Sequence, residues 1–319
     1  MALEIKKPNL LPGGYVKVHA PGTVANLVCG FDILGLCLND PNELMEVKLL
    51  NEKKIIIHSA DGYPLPSDPA QNTAGAPLIE MIEELEGDIG FEVTIHKKIK
   101  PGSGIGSSAA SAAGAVAAAN HLLGNIFSQE DLVRFAMFGE KVATGVKHAD
   151  NIAPCIYGGI TLIRSIFPLD IVTIPAPALY VTVVHPQIEV KTKDARQILR
   201  KEVLLKDAIK QWGNIAGLVA GFIKNDLDLI GRSLEDVIIE PVRSILIPGF
   251  DEVKSKCKEA GALGGGISGS GPSLFMLSKD EQTAYAVEQV MKDIYNKIGL
   301  DYHTHVTTIN MEGVKVVSS

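Results

Sequence analysis

Residues 97–123 read KKIKPGSGIGSSAASAAGAVAAANHLL. Glycines alternate at 102, 104 and 106, serines follow at 107, 108 and 111, and alanine dominates from residue 109 onward. Glycine exposes backbone N–H groups without side-chain bulk, and a helix beginning just after them aims further N–H groups at the same point. An alanine-rich helix packs closely against its neighbours, so its N-terminus can lie deep in a protein. The segment therefore predicts an anion-holding loop that opens a buried helix.

Three phosphate loops fit such a composition to different degrees. A Walker loop requires a lysine after its second glycine, and Ser107 stands there instead. A dinucleotide fingerprint matches the letters at Gly104, Gly106 and Ala109, but the preceding KKIKP reads as a solvated strand end, and no strand with a terminal acid follows about twenty residues on. The third form is a glycine–serine loop feeding directly into a helix, with Ser107 and Ser108 adding hydroxyl groups.

The rest of the 319-residue chain bounds the setting. Hydrophobic residues make up 46% and charged residues 21%, a balance suited to a globular core. A net charge of −7 argues against generic binding to nucleic acid or an anionic membrane, so an anionic ligand must be held by local donors. The four cysteines (Cys29, Cys37, Cys155, Cys257) form no metal-type pair and suit a reducing compartment. The opening MALEIKKPNLLPGG lacks the apolar core of a leader, and no apolar run is long enough to span a bilayer. A cytoplasmic protein is expected, with a homodimer as a possible assembly.

YVKVHA, NELMEVKLL, KKIIIHSA and FEVTIHKKI read as strands, the last with Phe91, Val93 and Ile95 on one face. NTAGAPLIEMIEEL, the alanine run and SQEDLVRFAMFGEKVA read as helices; the third opens with a capping pair, Ser128 and Asp131. On that helix Leu132, Phe135, Ala136, Gly139 and Ala143 form the apolar stripe, with Glu140 at its edge. PAPALYVTVVHP starts a second half, in which the helices KDAIKQWGNIAGLVAGFIK and EQTAYAVEQVMKDIYNKI accompany the strands SLFMLS and YHTHVTTIN. Strands and helices mix without regular alternation, which predicts an α+β fold in two domains, residues 1–172 and 173–319.

PGSGIGSSAA resembles the second motif of the GHMP kinases. KVHAPGTVANLVCGFDILGLCL is similar to their first motif and GALGGGISGSGPSLFML to their third, in family order across nearly the whole chain. The resemblance implies a two-domain kinase architecture with a ferredoxin-like C-terminal domain and the active site in the interdomain cleft. It implies ATP and Mg²⁺ as cofactors, with ATP bound by Pro101, Gly102, Ser103, Gly104, Ile105, Gly106, Ser107, Ser108, Ala109, Ala110 and Ser111. Asn72 and Lys97 would stand on the purine side, and Ser108 with Glu140 would hold the metal. The third motif is expected to pack against the phosphate site or to form a tight turn before SLFML.

Within the family, ANLVCGFD resembles the ANLGPGFD of the homoserine-phosphorylating branch, with Val28 and Cys29 replacing the usual Gly-Pro. The resemblance then implies substrate-binding roles for Asn26, Asp32, His148, Asp150, Arg196 and Arg243, and catalytic roles for Asn26 and Thr192. These residue types suit a zwitterion: arginine forks hold a carboxylate, and aspartate holds an ammonium. L-Homoserine is the expected acceptor. The alternatives are a shikimate- or mevalonate-type alcohol kinase and a non-catalytic nucleotide sensor on the same fold. Thr192 stands where related kinases carry an aspartate, so the reaction is expected to proceed without a dedicated base.

Overall fold

The computed structural model describes residues 6–11 and 14–318; half of the N-terminal stretch read above for a leader lies outside them. The first part of the chain forms β1 (Tyr15–Ala25), β2 (Leu34–Leu50), β3 (Ile55–Ser59), α1 (Gly75–Glu83), β4 (Gly90–His96), α2 (Ser107–Leu122), α3 (Gln129–Thr144), α4 (Ile152–Tyr157), β5 (Ile160–Ile166) and β6 (Leu169–Ile174). The second part forms β7 (Tyr180–Pro186), α5 (Thr192–Gln197), α6 (Leu205–Lys224), α7 (Leu227–Ser233), α8 (Glu240–Arg243), α9 (Phe250–Glu259), β8 (Gly264–Ile267), β9 (Leu274–Ser278), α10 (Glu281–Ile298), β10 (Tyr302–Thr308) and β11 (Lys315–Ser318).

The first sheet runs β11-β1-β2-β4-β3, with β5 and β6 branching from the start of β2. Strand β2 is long enough to pair twice: Leu34–Leu36 meet β5, and Leu44–Leu50 meet β4. Helices α1 to α4 cover one face, burying Met45, Val47, Phe91, Val93 and Ile95 against the alanines of α2. Those alanines are almost fully buried, so α2 lies in the interior and not across a surface.

The second sheet has the order β10-β7-β9-β8, all antiparallel. With helices between β7 and β8 and between β9 and β10, this is the strand order of a βαββαβ unit. Both its faces are covered. Val181, Val183, Phe275 and Leu277 pack toward α6 and the first sheet, while Val184, Leu274 and Met276 pack toward α9 and α10. That explains why YVTVVHP and SLFML read as continuous apolar runs and not as alternating ones. The chain leaves the first sheet after Ile174 and returns to it through a bridge from Ile309 to Leu38 of β2 and then through β11, which pairs with β1.

Two expectations for α3 need correction. Its capping box at Ser128 and Asp131 forms as predicted, but Ala143 is exposed and Glu140 is buried, only 4% exposed. The buried stripe therefore turns through Glu140 instead of passing beside it. The β5–β6 hairpin and the glycine strand β8 carried no clear sequence signal; three glycines have little intrinsic strand preference, and β8 exists because β9 pairs with it.

Gly139 sets the spacing between α2 and α3. A Cβ there would stand 2.4 Å from the Thr73 carbonyl oxygen and 2.7 Å from Ala112 Cβ on α2. Gly139→Ala should push the helices apart and destabilise the fold by about 1–3 kcal/mol. Urea unfolding measures this, and an unchanged midpoint would contradict the close approach.

Candidate active site

A cleft of about 920 Å³ opens where the glycine loop, the first-motif loop and α5 meet. Pro101, Gly102, Gly104, Gly106, Ser107 and Ser108 line it. Gly106 caps α2 in the left-handed region, at φ 72°, where a Cβ would fall 2.0 Å from Thr23 Oγ1. Only glycine fits there. No side chain caps α2, so its first-turn N–H groups face the cleft and can receive an anion.

The other loop residues lie beneath this surface. Ser103, Ile105, Ala109, Ala110 and Ser111 are buried and do not line the cleft. Ser107 turns its hydroxyl inward, donating to the Ile99 carbonyl at 2.7 Å. Ser111 donates to Glu43 Oε2 at 2.9 Å. The third motif packs on the loop from above: Ser268 donates to the Gly104 carbonyl at 2.7 Å, and the Ser273 N–H donates to that of Ser103 at 3.1 Å.

Lys97 is not the end of a solvated strand. Its side chain is 3% exposed, and Nζ contacts Glu43 Oε1 at 2.5 Å, Ser111 Oγ at 2.8 Å and the Ser107 carbonyl at 2.9 Å. All three ammonium hydrogens are thereby engaged within the fold. Asn72 likewise engages both ends of its amide: it donates to the Pro66 carbonyl and accepts from the N–H groups of Ala74 and Gly75. Lys97 thus has no hydrogen left over, whereas Asn72 keeps a second amide hydrogen; both border the cleft, beside Tyr63, Pro64, Leu65 and Pro66.

Ser108 and Glu140 meet from α2 and α3, with Ser108 Oγ donating to Glu140 Oε1 at 2.5 Å. Burial pushes the Glu140 carboxyl above its usual range, opposed by the Ser108 hydrogen bond and the nearby Lys97 charge. A buried carboxylate with no cation in direct contact among the described residues, next to a hydroxyl on the glycine loop's helix, fits a hard divalent ion that takes its other ligands from phosphate and water.

At the opposite end, the first-motif loop holds Asn26, Leu27, Val28 and Asp32 at positive φ. Asn26 Oδ1 accepts from the Asp32 N–H at 3.0 Å, and its Nδ2 donates to the Gly269 carbonyl at 2.8 Å. Arg196 on α5 donates to both Asp32 oxygens, at 2.7 and 2.8 Å. His148 Nδ1 stands 3.7 Å from Asp32, while its Nε2 is buried and unpartnered. Burial pushes the imidazole below its ordinary value, more strongly than Asp32 raises it. Thr192 Oγ1 lies 3.1 Å from Ser270 Oγ.

Arg243 is only 3% exposed and has no carboxylate partner among the described residues. It donates to the carbonyls of Ala195 and Gly269, both at 3.1 Å. Burial, then the charge of Arg196, lowers its pKa to about 10, so it stays cationic. Asp150 borders the same space; burial first, then the charges of Asp32 and Glu140, push its carboxyl up to about 7. The structure thus gathers all six expected acceptor-side residues around one end of the cleft.

Glu43 and Phe31 escaped the sequence reading. Glu43 carries a usable signal, because it shares the inward alternation of Met45 and Val47 on β2. Phe31 carries none until Arg196 and Arg243 converge on its ring.

Residues 73–159 match the family described as GHMP kinases N terminal domain, and residues 218–297 match GHMP kinases C terminal. The chain belongs to the GHMP kinases. It is 44% identical to a protein named homoserine kinase from Chlorobium phaeobacteroides, over 95% of this chain and 99% of that one. It is also 44% identical to one of the same name from Methanococcus maripaludis, over 88% and 93%. A crystal structure of homoserine kinase from Cytophaga hutchinsonii superimposes with a TM-score of 0.92 at 48% identity, covering 97% of this chain and 99% of that one.

The raised Asp150 carboxyl has a pH signature. Because the folded state holds this proton more tightly than the unfolded chain, its contribution is fully present below about pH 4 and lost as pH rises through about 7. Asp150→Asn should therefore be more stable than the parent at pH 8, by about 1–3 kcal/mol, with the difference shrinking toward pH 4. Urea unfolding at the two pH values checks this; a pH-independent difference would contradict the buried-carboxyl assignment.

Proposed function

We propose that the protein transfers the γ-phosphoryl group of ATP to the side-chain hydroxyl of L-homoserine, giving O-phospho-L-homoserine and ADP, a step of threonine biosynthesis. The observation that carries this reading is the buried Arg243, which has no acid partner among the described residues, beside the Asp32–Arg196 pair. A desolvated cation without an anion is costly unless a ligand supplies one. A zwitterionic amino acid does so: its carboxylate lies between the guanidinium groups, and its ammonium takes the charge of Asp32 with that of Asp150. The mutual contact of Asp32 and Arg196 is then divided between the two ends of the substrate. Shikimate and mevalonate have no ammonium for this acidic pair, and a nucleotide sensor has no need of the amino-acid end.

Asn26 is placed to orient the hydroxyl toward the phosphate loop. The hydroxyl oxygen forms the new bond to γ-phosphorus as the bond to the β–γ bridging oxygen breaks. Such transfers depend mainly on positioning and charge neutralisation. Thr192 supplies no base, and the hydroxyl proton passes to a phosphate oxygen or water. The N–H groups around Gly106 hold the phosphates, and Tyr63, Pro64, Leu65 and Pro66 form the wall on the purine side. Ser108 and Glu140 would hold Mg²⁺, which when bound neutralises charge on the phosphates.

The division we propose between the two units falls near residue 172, with β11 belonging to the first sheet. Four buried free cysteines support a reducing, cytoplasmic setting. Among the described residues no helix is long and apolar enough to cross a membrane. The net charge of −7 supports a protein that binds neither nucleic acid nor anionic membranes. A homodimer belongs to the same proposal; the exposed Leu205, Ile209 and Trp212 on α6 support it, and sedimentation of the purified chain tests it.

ADP release measured with homoserine, serine, threonine, mevalonate and shikimate tests the acceptor; preference for either acid lacking an amino group would overturn it. Arg243→Ala should raise the KM for homoserine roughly ten- to a hundredfold, the loss of a charged hydrogen bond, while the KM for ATP stays nearly constant. Glu140→Gln should fold normally and lose most of kcat at low Mg²⁺, with partial recovery as Mg²⁺ is raised. Near-normal kcat at low Mg²⁺ would remove Glu140 from the metal site.

A further inference from the structure

Two guanidinium groups converge on one aromatic ring. The central carbon of Arg243 lies 4.9 Å from the centroid of Phe31, and that of Arg196 lies 5.3 Å from it. Two like charges this close repel each other. Asp32 compensates Arg196 directly, but among the described residues Arg243 is bonded only to two backbone carbonyls. The π-face of Phe31 supplies a further source of negative potential to both, and its effect is greatest where water is excluded.

We propose that Phe31 is a specificity-determining positioning residue, whose ring holds Arg196 and Arg243 together as a two-cation receptor for the carboxylate of the amino-acid acceptor. The inference rests on the homoserine reading above and deepens it. Phe31 borders the cleft beside Asn26 and Asp32. The loop that carries it is tied at both sides: Asn26 Oδ1 accepts from the Asp32 N–H, and the Asn26 N–H donates to the Leu34 carbonyl at 2.7 Å. These bonds hold the backbone on either side of Phe31. An aliphatic side chain of similar size would fill the space but offer no π-face, so the two arginines would separate, and a carboxylate would have to reassemble the receptor on binding. That cost falls on acceptor recognition and leaves the phosphate end untouched.

The test compares Phe31→Leu, Phe31→Tyr and replacement of the Phe31 ring by pentafluorophenylalanine, which keeps the ring and reverses its quadrupole. Each is assayed with homoserine and with 3-aminopropan-1-ol, the same acceptor without its carboxylate. Phe31→Leu and the fluorinated ring should raise the KM for homoserine about tenfold and leave the KM for ATP within about twofold. Phe31→Tyr should stay close to the parent. The preference for homoserine over the decarboxylated analogue should fall by the same factor of about ten in the first two variants. An unchanged homoserine KM with the fluorinated ring, or an equal rise in the KM for ATP, would overturn the inference. So would equal losses for both acceptors, because the effect would then not concern the carboxylate. If Phe31→Leu fails to fold, the fluorinated ring still decides. Failure of the parent protein to phosphorylate homoserine would sink the functional reading itself, whereas a parent that does so with indifferent variants would sink only the role of Phe31.

Discussion

The buried ion pair between Glu43 and Lys97 is the interaction on which the phosphate end depends. It lies one step beyond the last register pair of β2 and β4, Leu44 opposite His96, so the antiparallel ladder itself brings the two side chains face to face. Both point inward, under the first turn of α2, and Lys97 also bonds the Ser107 carbonyl. Burying two charges is expensive, and a pair of this kind stays intact only when the remaining hydrogen-bonding capacity is satisfied. Here the Ser107 carbonyl takes one Lys97 hydrogen, and the Ser111 hydroxyl accepts another while donating to Glu43, which ties the start of α2 to the sheet. Burial pulls Glu43 toward its neutral form and Lys97 toward its own, and each partner's charge opposes that.

From this anchor the rest of the site follows by close packing. The small residues of α2 let α3 approach at Gly139, and that approach delivers Glu140 to Ser108. From above, Ser268 and Ser273 of the third motif bond the glycine loop from the second sheet. Gly269 connects that motif to the acceptor end, because its carbonyl accepts from both Asn26 and Arg243. The phosphate and acceptor ends of the cleft are thus fastened to one short loop, so a shift in it would move both. Positioning chemistry of this kind needs such rigidity, since the reacting groups must be held within fractions of an ångström.

The acceptor end stores local strain to achieve its shape. Val28 sits at φ 66°, where a β-branched side chain is unfavourable and the resembling branch carries glycine. Val28 and Cys29 are both buried, so packing of their side chains offsets what the backbone loses. The polar residues of the loop, Asn26 and Asp32, keep their bonds despite the exchange. With Val28 and Cys29 packed inside, the loop holds Asn26 and Asp32 toward the cleft.

Much was legible in the chain alone. Glycine alternation followed by serine and alanine determined a loop opening a buried helix, because no other residues allow so close an approach. The three motifs determined the family, and the resemblance grouped Asn26, Asp32, Arg196 and Arg243 as an expected acceptor-binding set whose residue types suit a zwitterion. Period-two alternation predicted β4, and the same alternation runs through Glu43 and Lys97, but charge made Lys97 read as solvated. Only tertiary structure decided otherwise, because burial of an ion pair depends on register between strands distant in sequence. The same holds for Glu140, which the helix period placed at an edge and the approach of α2 covered. It holds also for Phe31, whose meaning comes from two arginines supplied by α5 and α8. Local sequence determined which elements form and which groups they carry; long-range packing decided which of those groups lose their water, and hence which charges a ligand must complete.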